Sequence, residues 1–170
     1  MIRILKTVCR LIIGFIFCSS GTVLAVNSNL GLSPWDVFHQ GLSKITGISM
    51  GQVSIFVGLI VVIATIFLKL EIGLGTIANM ILIGVFMDVI SYTKIIPTSH
   101  NFFVSLLMLL GSLFTMAIGS YLYIGCEMGC GPRDGLMVAL VKKTGKPVGF
   151  IRSCIELGVL IIGFILGGSV

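Results

Sequence analysis

Apolar residues fall along this chain in five long runs, at about 8–26, 51–68, 72–92, 102–124 and 148–167. Each is long enough to cross a hydrocarbon core as a helix, which takes roughly 17–25 residues. In lipid every backbone polar group must be satisfied within the protein, so such runs are helices. The short alternating segments of an outer-membrane barrel do not occur. After the first and fourth runs the pattern changes, and each gap holds a shorter helical segment. Ser33-Pro34-Trp35-Asp36 reads as a helix start, with Ser as N-cap, Pro at the first helical position and an acid in the first turn. Gly131-Pro132-Arg133-Asp134 keeps the proline and the acid and places glycine at the cap. Gly47 and Gly145 are the matching C-terminal stops. Each segment spans about 13 residues, or roughly 20 Å, too short for a core of about 30 Å. Ser49-x-x-Gln52 then opens the second run with another capping box, and Pro147 holds the corresponding place before the fifth.

The two short segments belong to a repeat with an offset of 98 residues. Gly31, Pro34, Asp36, Leu42, Lys44, Thr46, Gly47 and Gly51 fall on Gly129, Pro132, Asp134, Leu140, Lys142, Thr144, Gly145 and Gly149; upstream, Gly21 falls on Gly119. In so apolar a chain, coincident Leu or Val would mean little. Coincident Gly, Pro and Asp dictate backbone shape. The first short helix is amphipathic, with Trp35, Phe38, Leu42 and Ile45 on one face and Asp36, His39, Gln40 and Ser43 away from it, which suits an interfacial helix. The second, over 135–141, is apolar all round, the mark of a buried helix. Between interfacial and re-entrant placement, re-entrant is preferred for both.

The third run opens with Gly73-Leu74-Gly75-Thr76, and the offset places residue 170 on Ile72, where a second copy of that run would begin. The expected architecture is therefore all-α and transmembrane: three spans and one short helix, twice, with the sixth span lacking. Repeat one covers about 8–92 and the incomplete repeat two about 102–170, within a single membrane domain over 1–170. Three spans per half is odd, so the halves would insert oppositely, as an inverted repeat with its site at the midplane. The lacking span would reflect truncation, or a homo-oligomer or partner subunit that supplies the surface.

Composition agrees with the pattern. The chain is 56% hydrophobic and 10% charged, with a mean hydropathy of +1.17; soluble domains are about a quarter charged. Its net charge of +5 is a topology signal. Arg3, Lys6, Arg10, Lys69, Arg133, Lys142, Lys143, Lys146 and Arg152 fall on one side, and only Lys44 and Lys94 on the other. This places the amino terminus in the cytoplasm. No basic face for nucleic acid is left. The first run resembles a signal peptide ending near Val23-Leu24-Ala25, but the match of Gly21 to internal Gly119 favours a retained helix. Cys126 and Cys130 do not have the spacing of a zinc or redox motif, and all five cysteines read as packed thiols.

The S-P-W-D block, the G-x-G-T opening of the third run and the second G-P-x-D block together resemble the YczE/YyaS/YitT-like bacterial integral membrane proteins. The resemblance covers nearly the whole chain. It implies a multi-pass protein of the bacterial cytoplasmic membrane, usually with six spans, and brings no catalytic residues.

Candidates for chemistry are few. Asp36 and Asp134 stand out because the repeat duplicates them. Capping accounts for at least part of their presence, since an acid in the first turn complements the helix dipole. The functional reading is a substrate site where the two helix mouths meet, with the positive helix ends and Arg133 holding an anionic group. Trp35 would stack on an organic substrate and His39 would titrate near neutrality. Arg152 and Glu156, four apart, should form a local ion pair. Asp88 reads as an interfacial acid, Asn79 as a donor between helices, and Gly163-x-x-x-Gly167 as a close-packing stripe. No nucleotide loop, zinc-protease motif or nucleophile elbow occurs, so neither enzyme activity, a metal nor a cofactor is expected. Two function classes remain: a small-molecule transporter or permease, and a non-transporting accessory or regulatory membrane protein. A polar cavity between the short helices favours the first, and a dry sealed interior the second.

Overall fold

Pro34 and Pro132 open helices where their missing N–H groups cost nothing, and Gly47 and Gly145 end them in the left-handed conformation. The computed structural model describes residues 2–170, with side chains from Leu5 onward. The Arg3 side chain, counted above among the basic flank, lies outside the described residues. Among the described residues there are seven helices: α1 (Ile2–Ser28), α2 (Pro34–Thr46), α3 (Met50–Phe67), α4 (Leu74–Thr93), α5 (Phe102–Ile124), α6 (Pro132–Thr144) and α7 (Val148–Ile165). The five long ones are long and apolar enough to cross a membrane, and α2 and α6 are the two short ones, each of 13 residues.

The backbone repeats more fully than the sequence does. Left-handed residues recur in register: Asn29 and Glu127 (φ 53° and 54°), Gly31 and Gly129 (134° and 117°), Gly47 and Gly145 (74° and 67°), Lys69 and Gly167 (61° and 87°). Only the middle two pairs keep glycine. At the outer pairs the conformation persists although the residue type does not. The packing is reciprocal as well: α1 lies along α5, α2 packs on α7, and α6 packs on α3. Exchanging the halves maps this arrangement onto itself. The packing of α4 on α1 and α3 has no counterpart among the described residues.

The G-x-G-T opening of α4 grips the loop that leads into α6. The Gly75 amide donates to the Met128 carbonyl at 2.8 Å, and the Thr76 hydroxyl donates to the Cys130 carbonyl at 2.6 Å. A Cβ on Gly75 would stand 2.7 Å from the Met128 oxygen, so side chains there would push the loop away. This loop positions the α6 mouth.

Four readings are refined. Both faces of α2 are covered: Asp36 is 4% and His39 1% exposed on the polar face, Trp35 is buried with Phe38 and Leu42 packed beside it on the apolar face, and Ile45 near the end of the helix is exposed. An interfacial helix would leave its polar face to solvent; here Arg133 of the other half supplies Asp36 and His39 with a polar partner. Gly163 packs against Val37 and Phe38 of α2, but a Cβ on Gly167 would meet nothing within 4 Å, and its left-handed φ ends α7; Gly167 is no part of a packing stripe. Asp88 is a cap supplied by another helix. It accepts hydrogen bonds from the Ser49 hydroxyl and the Gly51 amide, the latter at 2.9 Å, at the start of α3. Asn79 is buried but makes no side-chain hydrogen bond among the described residues; it faces a cavity.

Candidate functional site at the meeting of the two helix mouths

The first turns of α2 and α6 meet inside the helix bundle. Trp35 packs with Val53, Val57 and Val61, so the α2 mouth reaches the middle of α3. The guanidinium of Arg133, at the repeat position of Trp35, lies 5.1 Å from the Trp35 ring centroid. It also stands 3.7 Å from Asp36 Oδ1 and 3.4 Å from His39 Nδ1. Three residues of α2 thus hold one cation from α6. A guanidinium has no acceptor, so Nδ1 of His39 accepts, and the ring carries its proton on Nε2. That buried Nε2 finds no partner among the described residues. Leaving such a group unanswered costs about 1–3 kcal/mol.

Next to this cluster is a cavity of about 350 Å³. All seven helices reach its wall. Thr22, Ser54, Asn79 and Ser120 give it a polar lining from the long helices. The short helices contribute Ser33, Trp35, His39, Arg133 and Asp134. Arg152 and Glu156 line it from α7, paired at 2.8 Å as their spacing predicts. With the Arg152 side chain 64% exposed, the pair contributes little to stability.

Of the five candidate residues, Trp35, His39, Arg133 and Asp134 line the cavity, and Asp36 does not. Asp36 lies behind Arg133. It accepts from the Ser33 hydroxyl at 2.6 Å, while its own amide donates to Ser33 Oγ at 3.4 Å. The cap and the ion pair therefore use one carboxylate together. The repeat residues Gly31, Pro34, Gly47, Gly129, Pro132 and Gly145 shape the two mouths and their stops, and of these Pro34 and Pro132 reach the wall. Sequence reasoning missed Ser54, Ser120 and Tyr123. Serines and a tyrosine in apolar runs carry no spacing signal that separates a cavity wall from an ordinary helix contact.

Five helices long and apolar enough to cross a membrane, packed around a cavity with charged and hydroxyl side chains in its wall, define a multi-pass membrane protein. Residues 5–170 match a family of unknown function (DUF6198), and the chain belongs to that family. It is similar to an uncharacterized protein of Haemophilus influenzae, 34% identical over 165 residues, which are 97% of this chain and 75% of the relative. It is also similar to the uncharacterized membrane protein YczE of Bacillus subtilis, 34% identical over 159 residues, covering 92% of this chain and 73% of the relative. The uncharacterized protein YyaS of Bacillus subtilis is 27% identical over 161 residues, covering 93% and 80%. No solved structure matches the chain.

Proposed function

We propose that this chain is a small-molecule transporter of the bacterial cytoplasmic membrane, built as an inverted repeat whose substrate site is the cavity between the two helix mouths. One observation carries the reading: a cavity of about 350 Å³, lined by charged and hydroxyl side chains, lies where the N-termini of both short helices converge. Small-molecule pockets fall in the range of about 300–1,000 Å³. Converging half-helix ends at a repeat interface are the recurring solution for transport sites. On this reading α2 and α6 are re-entrant. Each chain segment dips to the middle of the bundle, starts a helix there, and returns to its own side, where the next span begins within four residues. Opposite insertion of the halves lets the shared site face either side in turn. An accessory protein has no need of a charged internal cavity.

The inverted arrangement is tested by topology. In a background without the five native cysteines, Asn29→Cys should react with a membrane-impermeant maleimide added outside intact cells. Lys143→Cys should react only after the membrane is permeabilised. The opposite pattern, or labelling of both from one side, would remove the inverted repeat from the account.

A further inference from the structure

The repeat duplicates the aspartate of the mouth but not its surroundings. In repeat one, Asp36 accepts from Ser33 and faces Arg133. In repeat two, the position of Ser33 is held by Gly131, which has no hydroxyl, and the position of Arg133 is held by Trp35, which has no charge. Asp134 consequently has no ion pair and no side-chain hydrogen bond among the described residues, and it lies on the cavity wall. Of the cations on the wall, Arg133 is ion-paired with Asp36 and Arg152 with Glu156; Arg152 also acts on Asp134 through space without forming an ion pair with it. The α6 N-terminus offsets roughly half a charge and provides no counter-ion. A carboxylate without an ion-pair partner inside a membrane protein is a functional-site candidate by default, and its charge favours a cation as ligand.

We infer that Asp134 anchors the cationic group of the substrate, and that the cavity takes a small organic ammonium. This rests on the transport reading above and reverses the sign of the substrate that the sequence suggested, because Arg133 is already held by Asp36, Trp35 and His39. The remaining wall suits an apolar body. Met80, Met116 and Met137 stand around the cavity with Val57, Ile83 and Ile155. Methionine side chains adapt to irregular shapes and contact aromatic rings favourably.

Trp35 is the chain's single tryptophan and stands on the cavity wall, so its emission reports occupancy. The purified protein in detergent micelles is titrated with three probes of similar shape: 2-phenylethylammonium, 2-phenylethanol and phenylacetate. The ammonium should give a saturable change at about tenfold lower concentration than the alcohol or more, the worth of a charged hydrogen bond. Asp134→Asn should remove that preference and leave the alcohol response unchanged, while Asp134→Glu, which keeps the charge, should retain it. Equal binding of alcohol and ammonium, or an unchanged preference in Asp134→Asn, would overturn the inference. Tightest binding of phenylacetate would also overturn it, while leaving the transport reading in place with an anionic substrate. Silence toward all three probes would remove the ammonium assignment, and solvent access to the cavity would then decide the transport reading separately.

Discussion

Asp134→Asn should abolish uptake of the carried solute into proteoliposomes, with a loss of about two orders of magnitude, or about 2.7 kcal/mol. Protein levels should stay near those of the wild type. The amide keeps the shape of the carboxylate and an acceptor oxygen, so the start of α6 is preserved; only the interaction with the helix dipole is lost, about 0.3–1 kcal/mol. Asp36→Asn should reduce uptake for a different reason. It leaves the Ser33 cap in place and removes the anion paired with Arg133, so that this guanidinium, already on the cavity wall, would compete with a cation for Asp134. Uptake equal to wild type in both variants would confine the two aspartates to capping.

Arg133→Gln should be the most destabilising single exchange at the site. It leaves the 4%-exposed Asp36 carboxylate with Ser33 as its side-chain donor. Breaking a buried pair from one side costs about 3–5 kcal/mol. Since the Arg133 side chain is 39% exposed, solvent screening brings the expected loss below that range, to about 2 kcal/mol. Thermal unfolding of the purified protein in detergent measures it. The double variant Arg133→Gln/Asp36→Asn should recover more than half of the loss, because the unmatched charge is gone. Additive losses in the double variant would show that the two residues do not act as a pair.

Much of the fold was legible because the membrane imposes it. Apolar runs gave the five spans, and the paired prolines and glycines gave both short helices with their boundaries at Pro34, Gly47, Pro132 and Gly145. The repeat could be read because it rests on residues that dictate backbone shape. The packing of the halves could not. The hydrophobic face of α2 suggested an interfacial helix, since its polar residues had no visible partner in the local sequence. Their partner, Arg133, lies 97 residues beyond Asp36, and only the tertiary arrangement places it there. The same reason hid the role of Asp88, which caps a different helix from its own. Asp36 and Asp134 looked equivalent by register. They differ because positions 131 and 35 carry Gly and Trp where the other half carries Ser and Arg, and that consequence appears only once the mouths are seen face to face.

On the transport reading, the cavity between the helix mouths is an aqueous substrate site inside the membrane domain. The most direct test places a cysteine at Ser120, on the cavity wall within α5, in the cysteine-free background. Its reaction with a hydrophilic, membrane-impermeant methanethiosulfonate reagent is then followed in sealed vesicles of known orientation. Ready modification is expected, slowed when substrate is present. A cysteine at Ser120 that stays unmodified from both faces, in protein that is otherwise folded, would mean a dry and sealed interior and would contradict that reading.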